Sequence, residues 1–385
     1  MRSPQRFTKD GDAGLEQQLG AICERVSEGL RALLPTKKLE AIILGGGYGR
    51  GEGGVLKTKS GDKPYNDLEF YVFLKGPAWL NARRHSEVLE ALAEQLSPDA
   101  GVHIEFKIDS LAELQRRPIS MFSYDLVAKH RTVWGKENTF DGCEHHLDPT
   151  ALPRVEATRL LLNRCTGLLL ARSLLAEHSI LSEDQADFIG RNLSKLRLAL
   201  GDALLTIFGQ YHWSCIERHK RLLASNAAEM LPEFETIQSG HAQGIDFKLH
   251  PWRINYTNKI FKSQANELSQ LAFQIWVWLE SRRLGHAFLT PLDYALSPLE
   301  KCAGSRTFLN YLLNLRTFGP KALLGRALNR YPRERLFNTL PLLLWQDEAT
   351  YEPKVRRHLQ EQLMTKAVDW SGWFAAYRNI WPQYG

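Results

Sequence analysis

Residues 43–74 read ILGGGYGRGEGGVLKTKSGDKPYNDLEFYVFL, and seven of the ten positions from Gly45 to Gly54 are glycine. Glycine loses more backbone freedom on folding than any other residue, so a run like this belongs where a tight turn or a close backbone approach requires it. The apolar run from Leu39 to Leu44 enters the glycines directly and has the length of a buried strand. A polar stretch from Lys57 to Asn66 follows and reads as a loop. Asp67 to Leu74 (DLEFYVFL) is rich in aromatic and β-branched residues, as strands are. The predicted unit is therefore strand, glycine turn, loop and second strand.

The second strand carries two acids, Asp67 and Glu69, one residue apart. Positions i and i+2 of a strand point to the same face. Two carboxylates there repel each other unless a cation lies between them. Mg²⁺ (or Mn²⁺) prefers such oxygens and keeps coordination positions open for phosphate. Paired metals of this kind clamp the attacking and leaving oxygens of a phosphoryl transfer. Glycine backbone N–H groups are suited to cradle the anionic oxygens. The plainer reading of an isolated Asp-x-Glu is a solvated strand face.

With turn and acidic strand together, the sequence resembles the DNA polymerase beta-like nucleotidyltransferase superfamily. Gly46-Gly47-Tyr48-Gly49-Arg50-Gly51 looks like that family's Gly-Ser-x-Ala-Arg-Gly turn, and Asp67-Leu68-Glu69 like its metal-binding strand. The resemblance spans roughly residues 40–135, about a quarter of the chain. It departs from the family at Gly47, where serine is often found, and at Glu69, where aspartate is commoner. It implies transfer of a nucleoside monophosphate from an NTP, ATP first among them, to a small-molecule or protein acceptor, with release of pyrophosphate. Asp67 and Glu69 would hold the metal; Gly46, Gly47 and Arg50 would position the triphosphate. The family's third carboxylate falls to Glu105 or Asp109, with Glu105 favoured because it lies mid-strand and Asp109 suited to capping the next helix. Arg50 has two readings, a phosphate contact or an ion pair with Glu52 or Glu69. Lys57 and Lys59 are either phosphate contacts or solvated loop charges.

The rest of the chain sorts by periodicity. Helical spacing covers 13–34, closed by Pro35, and helices are expected at 81–96 and 110–129. Residues 102–109 (VHIEFKID) alternate strictly, with Val102, Ile104, Phe106 and Ile108 on one face and His103, Glu105, Lys107 and Asp109 on the other, a half-buried strand. A short strand is expected at 131–134. Beyond residue 151 only helical patterns appear, at 160–175, 193–208, 217–231, 258–283, 305–315, 320–330 and 353–377. The expected class is α+β: an N-terminal helix (1–36) packed on a small mixed-sheet catalytic domain (37–150), then an all-α domain (151–385). The boundary is placed at the turns of Pro149 and Pro153. A helical domain appended to such a fold is expected to close the cleft and supply base and acceptor contacts. Lys195, Asp202 and Tyr211 are the candidates, with Lys195 assigned to nucleotide binding; an ordinary polar helix face is the plainer alternative.

Charge refines this picture. Residues 1–150 hold 20 basic and 22 acidic residues, the remainder 29 and 21. Arg316, Lys321, Arg326, Arg330, Arg333 and Arg335 cluster in 316–335, which suits a polyanion or a solvated helix face. An RNA-modifying enzyme and a catalytically inactive nucleotide- or partner-binding module remain as alternatives, with nucleic acid not favoured. The late tryptophans Trp345, Trp370, Trp373 and Trp381 read as helical core. Gly49-Arg50-Gly51-Glu52-Gly53-Gly54 matches Gly-x-Gly-x-x-Gly but precedes a polar loop rather than a helix, against a dinucleotide fold. No Gly-Lys-Ser/Thr closes it as a Walker A loop. Cys143-Glu144-His145-His146 lacks the second ligand pair of a zinc site and reads as a surface loop. Five dispersed cysteines, an N-terminus without an apolar stretch and no long apolar run point to a reduced, cytoplasmic chain with no membrane partner.

Overall fold

The structure is a computed structural model that describes residues 5–225, 231, 233–302, 304–324 and 327–385. In chain order its elements are α1 (Ala13–Leu33), β1 (Leu39–Leu44), α2 (Gly46–Arg50), β2 (Val55–Thr58), β3 (Gly61–Pro64), β4 (Leu68–Leu74), α3 (Ala78–Ala100), β5 (Ile104–Asp109), α4 (Leu111–Leu114), α5 (Met121–Ala128) and β6 (Arg131–Trp134). Helices follow: α6 (Val155–Glu177), α7 (Glu183–Ile207), α8 (Cys215–Leu223), α9 (Phe234–Leu249), α10 (Asn258–Leu284), α11 (Pro291–Leu296), α12 (Thr307–Phe318), α13 (Pro332–Trp345), α14 (Pro353–Leu363) and α15 (Trp370–Tyr384). The chain is α+β, a small mixed sheet followed by a mostly helical region.

It divides into two compact units. One comprises 1–153 and 208–253, the other 154–207 and 254–385. The expected single helical domain over 151–385 is thus corrected: α8 and α9 belong with the sheet. The reason is local to that unit, where the start of α8 satisfies a buried charge in the glycine loop.

In the first unit the sheet order is β5-β4-β1-β6. β1 runs antiparallel to β4 and β6, while β4 and β5 are parallel. The central strands are apolar on both faces, as doubly covered strands are. Ile42, Leu44, Phe70 and Val72 pack with Leu19, Ile22, Val26 and Leu30 of α1 and with Leu89, Leu92 and Leu96 of α3. Ala41, Ile43, Tyr71 and Phe73 pack on the other face with Leu126, Val127, Phe140 and Cys143. The edge strand β5 keeps the alternation expected of it, with Phe106 and Ile108 against the first of these cores.

Two expectations in this unit are corrected. Residues 57–66 do not form a simple loop; β2 and β3 pair antiparallel as a hairpin. Lys57 lies opposite Asp62 in it and bonds it at 2.8 Å, so this lysine has a carboxylate partner, while Lys59 is exposed at the turn. The helix expected over 110–129 is broken into α4 and α5, since Pro118 cannot continue a helix and Ser120 starts a fresh one through a capping box with Ser123.

The second unit is helical throughout its described residues. The periodic segment 353–377 is two helices, α14 and α15, and 319–324 is a 3₁₀ turn where a helix was expected. α8 ends at Leu223, and the continuation expected to 231 falls largely outside the described residues. Arg326 also lies outside them. No helix among the described residues is long and apolar enough to cross a membrane.

A buried ion pair organises this unit. Glu280, fully enclosed, accepts bonds from Thr158 Oγ1 (2.6 Å), Tyr294 Oη (2.7 Å) and both Nε and Nη2 of Arg283 (2.7 and 2.6 Å). Removing the carboxylate strands a buried guanidinium. Glu280→Ala should therefore cost about 3–5 kcal/mol, read as a lowered unfolding midpoint in denaturant, whereas an exposed control such as Glu352→Ala should be near neutral.

Candidate functional site

The glycine loop is tied to β4 at its first residue. Gly45 N–H donates to the Glu69 carbonyl at 2.9 Å, one step beyond the last β1–β4 register pair, Leu44 opposite Phe70. Gly46 follows with φ of +60°, and a Cβ there would sit 3.3 Å from Glu69 Oε1. The loop backbone thus lies directly against the Glu69 carboxylate, and only glycine takes that conformation without strain. At Gly47 a Cβ would press on the Glu52 carbonyl at 3.0 Å. This gives a physical reason for glycine where a serine was the commoner expectation. Tyr48 pins the loop from within. Its buried hydroxyl donates to the Gly54 carbonyl at 2.7 Å and accepts from Tyr65 N–H at 2.9 Å, and burial pushes its pKa up to about 12.

Of the acids, Asp67 stands exposed just ahead of β4 and Glu69 is half-buried within it. The parallel β4–β5 register sets Glu69 opposite Glu105 and Tyr71 opposite Lys107. Lys107 Nζ bridges the two carboxylates, 3.2 Å from Glu69 Oε2 and 3.0 Å from Glu105 Oε2, and lies 5.5 Å from the Tyr71 ring centre. Burial works against the Lys107 charge, but the neighbouring carboxylates outweigh it and raise its pKa. Tyr71 Oη donates to Glu69 Oε2 at 2.8 Å, and burial followed by the Glu69 charge drives the phenol's pKa upward. Asp109 sits four register pairs beyond Glu105, opposite Phe73. It is buried, takes both terminal nitrogens of Arg117 (3.1 and 2.7 Å), and accepts Ser110 N–H at 2.8 Å. Its oxygens are committed to that ion pair, and Glu105 is the acid beside Glu69.

Arg50 pairs with neither Glu52 nor Glu69, the ion-pair partners expected for it. Its Nη1 bonds Asp125 Oδ2 of α5 at 3.0 Å in a largely buried setting. Tyr211 Oη donates to the same oxygen at 3.3 Å, and Arg218 Nη1 donates to Tyr211 Oη at 2.8 Å. One donor, Arg50 Nε, is buried without an acceptor among the described residues. Tyr211 is therefore a buried member of the first unit, packed with Tyr124 and Leu152, and not part of a helical face carrying Lys195 and Asp202. Those two lie on α7 of the second unit, where Lys195 is exposed and Asp202 buried, so seven-residue spacing does not give them a common solvent face.

Glu52 is the residue that sequence reasoning undervalued. It is fully enclosed, accepts from Ser214 Oγ (2.5 Å) and Cys215 N–H (3.0 Å), and has Lys248 Nζ at 3.6 Å. It thereby caps the start of α8 from a different part of the chain. Burial alone would raise its pKa; the Lys248 charge and the two hydrogen bonds more than reverse that and hold it at about 2. No local signal marks the role, since its partners lie more than 160 positions away. Lys107 did carry a signal, its place on the polar face of β5.

The Cys143–His146 segment is also not a surface loop. Cys143 and His146 are buried, His146 Nε2 meets the Leu114 carbonyl and His145 Nε2 the Arg117 carbonyl, each at 3.0 Å. No group of three or more His, Cys, Asp or Glu side chains arranged to hold a metal occurs among the described residues. All five cysteines are buried and unpaired. Searches for related proteins found no matching family model, no matching curated protein and no matching solved structure.

Glu52 has a testable pH signature. Its folded pKa lies below the ordinary value of 4.5, so its contribution is complete above that pH and lost as pH falls toward about 2. The shift corresponds to about 3 kcal/mol at neutral pH. Glu52→Gln should unfold about 3 kcal/mol more easily at pH 7, and the gap from the parent should close as denaturation is measured down from pH 4.5 toward 2.

Proposed function

We propose that the first unit is a metal-dependent nucleotidyltransferase that moves a nucleoside monophosphate from an NTP, ATP first among them, to a small-molecule or protein acceptor. The observation that carries this reading is the apposition of the glycine loop to the acidic strand, with Gly46 against the Glu69 carboxylate and Glu105 beside it in register. Every candidate ligand is a carboxylate oxygen, the donor type that Mg²⁺ or Mn²⁺ prefers, but Asp67, Glu69 and Glu105 do not form a ready metal cluster in this structure, and Lys107 would have to give way between Glu69 and Glu105. The Lys107 ammonium between Glu69 and Glu105 marks a place where positive charge is already stabilised.

Asp67, Glu69 and Glu105 would hold the cation, which when bound supplies neutralisation of charge on the triphosphate. The backbone at Gly46 and Gly47 would lie along the phosphates, no side chain standing in the way. Arg50, held by Asp125, would act chiefly by fixing the loop's shape. An acceptor hydroxyl attacks the α-phosphorus, the bond to pyrophosphate breaks, and Glu105 takes the acceptor's proton. Exclusion of bulk water from the loop side would come from Tyr48 and Tyr71, both buried.

One observation favours a second reading. Lys107 supplies an internal counter-ion to the acids, as suits a nucleotide- or partner-binding module that does no catalysis.

Pyrophosphate release from each NTP with Mg²⁺ or Mn²⁺ tests the first reading. Asp67→Ala, at an exposed position that does not support the fold, should lower it at least a hundredfold. Release indifferent to Asp67→Ala, or absent with every NTP and a broad panel of hydroxyl acceptors, overturns it. Lys107→Met separates the two readings further. Removing one positive charge a few ångströms from a cation site is worth about 1–4 kcal/mol. Mn²⁺ affinity, followed by electron paramagnetic resonance, should therefore tighten about fivefold or more; an unchanged affinity would speak for the module without metal.

A further inference from the structure

Helix α12 is built inside out. Its buried residues are polar: Asn310 and Asn314 are almost fully enclosed. Asn310 Nδ2 donates to the Asn329 carbonyl at 2.9 Å, and Asn314 Nδ2 donates to the carbonyls of Leu328 (3.2 Å) and Arg330 (2.8 Å). Asn314 Oδ1 accepts from the buried Arg335 Nε at 2.9 Å. Thr317 on the same side shares a 2.5 Å bond with Tyr384 Oη. The outward side is apolar. Phe308 is 75% exposed, Leu312 49%, Leu309 47% and Tyr311 39%, and Leu323 in the following 3₁₀ turn is 62% exposed. Positions 308, 309, 311 and 312 fall on one side of a helix of 3.6 residues per turn, opposite 310, 314 and 317. A contiguous apolar surface of this kind on a folded chain marks an interaction site.

The charges along this stretch of chain have one sign. No acidic residue occurs from Lys301 to Arg333. Arg306 precedes the helix, Arg316 shares its outward side and Lys321 lies in the next turn; all three are exposed and none is in an ion pair among the described residues. Arg330 and Arg333 are spent on Glu334 and on the Tyr384 carbonyl.

We propose that α12 and the turn after it form a docking surface for an anionic lipid interface, Phe308, Leu309, Leu312 and Leu323 entering the acyl boundary and Arg306, Arg316 and Lys321 meeting lipid phosphates. Apolar and aromatic residues bounded by cations are what such a helix requires. The charge distribution selects the occupant. A second copy of this chain would bring the same three cations against each other with no acid in the segment to answer them. A helix face whose polar side is already used inside the protein enters a fluid surface without needing a matched groove. This departs from the sequence expectation of no membrane contact, and it is peripheral contact, not spanning.

Flotation of the full chain with phosphatidylcholine vesicles, with and without 30 mol % phosphatidylglycerol, tests it. Binding should occur only with the anionic vesicles and weaken about tenfold between low and moderate salt. Phe308→Asp with Leu312→Asp should abolish it, and Arg316→Glu should weaken it severalfold. Both changes are at exposed positions, so the melting temperature should stay where it is. Failure to bind anionic vesicles at low salt overturns the proposal, as does binding indifferent to the double aspartate variant. A dimer in light scattering that this variant dissolves, or capture of an acidic amphipathic peptide without vesicle binding, assigns the face to a protein partner and overturns it equally.

Discussion

A carboxylate with no access to water governs the shape of the glycine loop. Glu52 would be costly to bury alone, and a run of glycines has little intrinsic preference for one conformation. The start of α8 and Lys248 answer that charge, and in doing so they fix where the loop lies. Arg50, next but one in sequence, is then turned toward Asp125, Tyr211 and Arg218. The stiffness that glycine cannot provide comes from Tyr211, Ser214, Cys215 and Lys248, which belong to the unit of the sheet and not to that of the other helices.

The acids on the sheet divide into two kinds. Asp109 and Arg117 form a pair with the carboxylate largely withdrawn from water and both oxygens engaged, an arrangement that holds β5 to the segment after α4. Glu69, Glu105 and Lys107 are each 35–45% exposed at the side chain. Partly solvated pairs of this kind contribute little stability, so the lysine is exchangeable for another cation at small cost. The exchangeable cluster thus lies beside the glycine loop, and the inflexible pair begins two residues beyond Lys107 on the same strand.

α12 shows the same physics inverted. Carbonyls at 328–330 and the Arg335 guanidinium need partners inside the second unit, and the asparagines of α12 supply them. An unmet buried polar group costs more than an exposed leucine, so satisfying those carbonyls turns the apolar side of the helix outward. Read along the sequence, its leucines look like core.

The strands at 39–44, 68–74 and 104–109 were legible because alternation and apolar runs are local signals, and the glycine turn because its composition has few other uses. The β2–β3 hairpin was not, since its lysines, threonine and aspartate read as loop until they pair across a turn. The acids at Asp67 and Glu69 could be read from spacing; between Glu105 and Asp109, on one strand face, mid-strand placement only favoured Glu105, and the register with β4 sets it opposite Glu69. By itself, then, the sequence determined the α+β class, the order of turn and acidic strand, and the pairing of Asp67 with Glu69, which follow from periodicity and backbone preference; a third acid was implied only by the family resemblance. The tertiary structure decided the partner of Arg50, the burial of Glu52, the lysine between the acids and the outward face of α12. Each of these depends on which distant groups must satisfy one another once water is excluded.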